Sequence, residues 1–124
     1  MITINVPNPD LTILQRKQEI KGDTPAIKPL YGFIDLHEIP RDKGGIILFY
    51  NIKDELLFVG KARKLRQRVR KHFEDKVSPI KDHREEVTKI SMLYVEEPME
   101  REILETYIIN TQHAKYNVDK VYYK

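Results

Sequence analysis

Apolar residues recur along this chain with two different periods. Gly45-Ile46-Ile47-Leu48-Phe49-Tyr50 and Leu56-Leu57-Phe58-Val59 are short unbroken apolar runs, separated by the turn-forming Asn51-Ile52-Lys53-Asp54-Glu55. Runs of this length, rich in β-branched and aromatic residues, predict the two strands of a hairpin covered on both faces. Gly60 then predicts a sharp turn into the next element. From Ala62 to Phe73 the period changes: Leu65, Val69 and Phe73 repeat at i, i+4, i+8, the buried stripe of a helix. Glu74–Lys81, with Ser78-Pro79, reads as a loop, and Asp82 as the cap of a short helical turn through Glu86. Lys89–Val95 reads as a third strand. Pro98 suits the first turn of a second helix, which buries Met99, Ile103, Leu104, Tyr107 and Ile108 and runs to about Gln112.

The N-terminal part is patterned differently. It holds Pro7, Pro9, Pro25, Pro29 and Pro40 and no long regular period. Ile2, Ile4 and Val6 alternate with polar residues, as in a short strand. Asp10 is placed to cap a helix over Leu11–Ile20 that Gly22 would close. Pro25 to Pro40 reads as a connection, with a short strand or turn around Tyr31–Leu36.

Composition narrows the class. A chain of 124 residues with 40% hydrophobic content can build one core, which excludes a disordered or collagenous protein. The absence of cysteine excludes a disulfide framework, a thiolate zinc site and an iron–sulfur cluster, and agrees with a reducing, cytoplasmic setting. There is no apolar run of membrane-spanning length and no pattern of a signal peptide at the N-terminus, so no membrane is expected as a partner. His37, His72, His83 and His113 are scattered without metal-site spacing.

The net charge of +3 is small, but its placement is not even. Lys61, Arg63, Lys64, Arg66, Arg68, Arg70 and Lys71 follow one another without an acid between them. Solvated helices usually mix signs for i,i+4 support, so an acid-free run points to a polyanion that balances it. Lys61, Arg68 and His72 fall along one line of that helix. Taken alone, His72 reads as an ordinary surface histidine. Glu105 sits among Ile103, Leu104, Tyr107, Ile108 and Ile109. Its spacing favours an i,i+4 pair with Arg101, and a carboxylate that holds Mg²⁺ with water and phosphate is the functional alternative.

Taken in order, these pieces resemble the GIY-YIG nuclease family, in the form found at the N-terminus of the excision-repair endonuclease subunit UvrC. The resemblance rests on Ile39-Pro40 leading into Gly45–Phe49, on Leu57-Phe58-Val59-Gly60-Lys61-Ala62, and on Leu65 with Arg68-Val69-Arg70. It continues through Glu100–Ile109 and Lys115-Tyr116-Asn117-Val118, and so spans roughly residues 39–119. It implies an α+β fold with a small three-stranded antiparallel sheet flanked by helices, a domain over 39–124, and an extension of unknown role over 1–38. It implies hydrolysis of a DNA phosphodiester with one divalent ion, Mg²⁺ or Mn²⁺, held by Glu105. Arg68 would stabilise charge at the phosphorus, Lys61 and Asn117 match further active-site positions, and His72 falls where a tyrosine or histidine often sits. DNA, bound by the basic run and Asn117, is the expected partner, together with proteins of a repair complex.

Both tyrosines that name the family are missing. Ile47 and Phe58 stand in their places, and neither can take a proton from water. Tyr50 lies an odd number of residues from Ile47, on the opposite face of a regular strand. His72, with an ordinary pKa near 6.5, is the better substitute base, and activation of water by the ion is the other route. Three readings follow: a nuclease with a changed base, a weak or inactive relative that binds branched or damaged DNA, and a protein–protein adaptor. The unbroken basic run argues against the third.

Overall fold

The computed structural model describes residues 4–14, 36 and 38–122. Its elements are β1 (Leu11–Leu14), β2 (Gly45–Tyr50), β3 (Leu56–Ala62), α1 (Leu65–Glu74), a 3₁₀ turn (Arg84–Glu86), β4 (Lys89–Tyr94) and α2 (Pro98–Gln112). The strands form one antiparallel sheet in the order β1-β4-β2-β3. The fold is thus α+β, as the resemblance implied, with four strands in place of three.

The fourth strand corrects the expected helix over Leu11–Ile20. Leu11–Leu14 pairs with Met92–Lys89 and buries Ile13, while the rest of that span lies outside the described residues. Asp10 caps no helix here. Its backbone N–H donates to the Met92 carbonyl at 2.9 Å, and its carboxylate accepts the Tyr94 N–H at 2.7 Å. Without β1, β4 would show an unpaired edge, and pairing that edge outweighs the local helix signal. Ile4 and Val6 form no strand, and Val6 packs beside the core instead. Tyr31–Leu36, except for the buried Leu36, lies outside the described residues.

β2 and β3 are covered on both faces. Ile47, Phe49 and Phe58 pack with Leu65, Val69 and Phe73 of α1. Ile46, Leu48 and Val59 pack with Ile108 and Ile109 of α2. The hairpin turns at Asn51, whose side-chain oxygen accepts the N–H groups of Lys53 and Glu55 at 2.9 and 3.0 Å. Gly60 does not end the strand as expected. It sits within β3 opposite Ile47, and Lys61 and Ala62 extend the ladder to Ile46 and Gly45. α1 therefore starts at Leu65, whose N–H reaches the Lys43 carbonyl at 2.9 Å. The 3₁₀ turn begins at Arg84 with no side-chain cap, so Asp82 does not start it.

α2 keeps its predicted bounds but only part of its predicted face: Ile108 is buried and Leu104 and Tyr107 are half-buried. Met99 and Ile103 are 74% and 49% exposed, whereas Arg101, Glu105, Ile108 and Ile109 are buried. Among the described residues no helix is long and apolar enough to cross a membrane.

At Gly45 the strands approach closely: a Cβ there would lie 1.8 Å from the Leu93 carbonyl oxygen. Gly45→Ala forces β2 away from β4 and is expected to cost about 3 kcal/mol. Urea unfolding measures this, and an unchanged midpoint would show the close approach to be unimportant.

Candidate active site at the open edge of β3

β3 is an edge strand, and part of its edge is covered by the tail after α2. The N–H groups of Lys115 and Tyr116 donate to the carbonyls of Leu56 and Leu57 at 3.1 and 2.8 Å. The Asn117 amide accepts the Val59 N–H and donates to the Val59 carbonyl, both at 2.9 Å. Glu86 holds the tail from the other side, accepting the Tyr116 hydroxyl at 2.7 Å, with the His83 ring stacked 3.8 Å from that of Tyr116. Past Val59 the edge opens into a pocket of about 330 Å³.

Lys61 of β3, Arg68 and His72 of α1, Glu105 of α2, and Asn117 of the tail all line this pocket. A second groove of about 350 Å³ runs along α1 between Arg63, Lys64, Gln67, Arg68 and Lys71. Arg68 belongs to both. Of the remaining basic residues, Arg66 turns its Nε to the Ile39 carbonyl at 2.7 Å, and Arg70 is exposed and lines neither groove.

His72 is not a surface residue. It is 8% exposed, with its Nδ1 2.8 Å from the Ser78 hydroxyl and its ring 4.9 Å from that of Phe58. Its carbonyl accepts the Nε–H of the buried Arg84 at 2.7 Å. With Nδ1 engaged, Nε2 is the nitrogen left to face Gly60 and the pocket: it lies 3.6 Å from where a Gly60 Cβ would be. Burial, and then the nearby charges of Arg68 and Arg84, push its pKa down to about 4 against the opposing pull of Asp75. The ring is therefore neutral at neutral pH. The sequence patterning missed Ser78 and Arg84; a serine beside a proline in a polar loop was the available signal for the first.

The expected Glu105–Arg101 pair does not form. Arg101 donates to the carbonyls of Val95 at 2.6 Å and Glu96 at 3.0 Å. Glu105, with its side chain 9% exposed, lies instead 2.6 Å from the ammonium of Lys120, a residue that helical spacing could not bring to it. Lys120 also reaches Glu102 at 2.6 Å, and Glu102 pairs with Lys61. Its two lysine partners hold the Glu102 carboxyl down to about 2. Burial alone would depress the Lys120 ammonium, but Glu102 and Glu105 together keep it above its ordinary value.

Ile47 is fully buried under α1, and Phe58 lies in the pocket wall with a hydrocarbon ring. Tyr50 is on the other face, beside Ile46 and Leu48, with the Lys89 ammonium 4.4 Å above its ring. Burial raises its pKa, and it does not reach the pocket.

The donors facing the pocket suit a hard divalent ion. Mg²⁺ takes one or two protein carboxylates and completes its shell with water and phosphate oxygens. Glu105 and Asp119 both line the pocket, and the Lys120 ammonium lies against Glu105.

Residues 43–118 match the UvrC-like GIY-YIG domain, and the chain belongs to that family. Over all 124 residues it is 68% identical to the uncharacterized protein YurQ of Bacillus subtilis, covering the whole of both chains. It is 37% identical over 87 residues to the UvrABC system protein C of Mycoplasma mycoides, covering 65% of this chain. The chain spans only 15% of the length of that protein. Among solved structures, it is similar to the GIY-YIG N-terminal endonuclease domain of UvrC from Thermotoga maritima, bound to its catalytic divalent cation, magnesium. That likeness has a TM-score of 0.59 at 28% identity and covers 67% of this chain and 91% of the other.

The buried His72 makes stability depend on pH in a defined direction. Below its ordinary pKa of 6.5 the unfolded chain takes up a proton that the folded chain refuses until about pH 4. Stability should therefore fall between these values, by up to about 3 kcal/mol, and level off below them. Denaturant unfolding of wild type against His72→Phe checks it: the variant should lose this part of the pH dependence. Parallel pH profiles would contradict the placement of His72.

Proposed function

We propose that this chain is a divalent-cation-dependent DNA endonuclease, UvrC-like in its site and altered in its base. The observation that supports this most is the convergence of Lys61, Arg68, His72 and Glu105 on one pocket that shares Arg68 with a basic groove. Phosphates of the DNA backbone follow the groove past Arg63, Lys64 and Lys71. Arg68, at the junction, presents its guanidinium to the phosphate to be cut, and Lys61 flanks it. Glu105, with Asp119 lining the same pocket, would hold the ion, which when bound would supply Lewis-acid stabilisation of the phosphate oxygens. His72 is neutral, and its Nε2 accepts the proton of the attacking water. A base with so low a pKa is weak, so cleavage is slow. A role in DNA repair, with the partners such a role needs, rests on the family resemblance.

The second reading is a binding relative that does not cut. It is favoured by Ile47 and Phe58, neither of which can take a proton from water.

Nicking of supercoiled plasmid and branched duplexes with Mg²⁺ or Mn²⁺ separates the two. The proposal predicts slow nicking that is flat across neutral pH, since His72 is already in its base form, and a loss of about 10²–10⁴-fold in His72→Ala. Salt-dependent binding without nicking in either metal would establish the binding reading.

Binding itself should follow phosphate contacts. With only part of the basic run turned to the groove, log K should fall with log salt at a slope of about −3. Arg68→Ala with Lys64→Ala should weaken binding alike on all sequences in gel shifts. Salt-insensitive or strongly sequence-selective binding would contradict the assigned groove.

A further inference from the structure

Lys120 is the one cation in contact with Glu105 among the described residues, and it comes from outside the matched domain, which ends at residue 118. Its position is enforced. Asn110 of α2 donates its amide to the Lys120 carbonyl at 2.7 Å and accepts the Tyr122 N–H at 2.6 Å. Asn110 is itself steadied by the Thr106 carbonyl at 2.8 Å. Between these anchors Lys120 adopts a left-handed backbone with φ of 61°, a conformation that a lysine seldom takes without support. The tail is thus clipped to α2 so that its ammonium lies 2.6 Å from Glu105 Oε1.

We infer that Lys120 is a tethered competitor for the divalent ion and sets the affinity of Glu105 for it. This rests on the proposal that Glu105 holds the ion. An Mg²⁺ ion bonds a carboxylate oxygen at roughly 2.1 Å, so it and the ammonium contest the same atom and repel one another across a short gap. The ion binds when Lys120 gives way. A resting place exists, since Lys120 already contacts Glu102 at 2.6 Å and keeps that partner when it leaves Glu105. When no ion is bound, the ammonium spares the buried Glu105 an unpaired charge, so the empty pocket stays folded. Lys120 is an affinity-setting residue and takes no part in the chemistry.

The test is direct binding of Mn²⁺ to the full chain, followed by electron paramagnetic resonance of the free ion, without DNA or turnover. Lys120→Met should bind Mn²⁺ roughly tenfold or more tightly than wild type, and Lys120→Arg, which keeps the charge, should stay weak. Asn110→Ala releases the tail without altering the charge of the pocket. It should also tighten binding, and it carries the test if Lys120→Met does not fold. Glu105→Gln should abolish binding in every background. Equal or weaker affinity in both Lys120→Met and Asn110→Ala, with Glu105→Gln still abolishing binding, would overturn the competitor and leave Glu105 as the ligand. Mn²⁺ binding that ignores Glu105→Gln, or none in any variant, would overturn the assignment of Glu105 and the competitor with it.

Discussion

A sheet that ends at β3 must satisfy the outward backbone groups of that strand without another strand, and the site depends on how this is done. Lys115 and Tyr116 pair Leu56 and Leu57 with backbone, and Asn117 pairs Val59 with a side chain. An amide that both donates and accepts imitates one more residue of ladder and then stops. Beyond it Gly60 and Lys61 line the pocket. The same tail, clipped to α2 by Asn110, ends with Lys120 against Glu105. Edge protection and the furnishing of the site are one structural solution.

The two helices reach this edge from opposite faces of the sheet, and each brings polar residues on its buried side. α1 buries His72 beside Val69 and Phe73, and α2 buries Arg101 and Glu105 beside Ile108 and Ile109. Every such group has a partner: Ser78 for His72, backbone carbonyls for Arg101, Lys120 for Glu105, and no buried side-chain polar atom among the described residues lacks a hydrogen bond. Phe58 and Phe49 pack against the His72 imidazole, and this burial depresses its pKa.

This arrangement explains what was legible in the sequence. The hairpin, β4 and α1 follow from apolar runs and an i, i+4 stripe, because there the local pattern and the burial agree, and the bounds of α2 follow from Pro98 and the run after it. β1 is not legible in the sequence because four residues after a capping-type aspartate carry almost no periodic signal, and the open edge of β4 decides their state. The face of α2 departs from its apolar pattern because this helix turns the carboxylate of Glu105 and the guanidinium of Arg101 inward, each with a polar partner, and leaves Met99 and Ile103 in water. Arg68, His72, Lys61 and Glu105 were singled out by charge and family spacing, and the structure gathers them in one pocket. Lys120 had no such signal: its approach to Glu105 is set by an Asn110 clip and a left-handed turn that no period encodes.

The measurement that bears most directly on these conclusions is the position of Mn²⁺ in crystals of the full chain soaked in it, located by anomalous scattering. One strong peak is predicted at bonding distance from Glu105, inside the pocket that Lys61, Arg68 and His72 line, with the Lys120 ammonium moved away toward Glu102. A well-occupied ion elsewhere on the chain, with Lys120 still seated on Glu105, would contradict the assignment of this edge as a metal-dependent nuclease site.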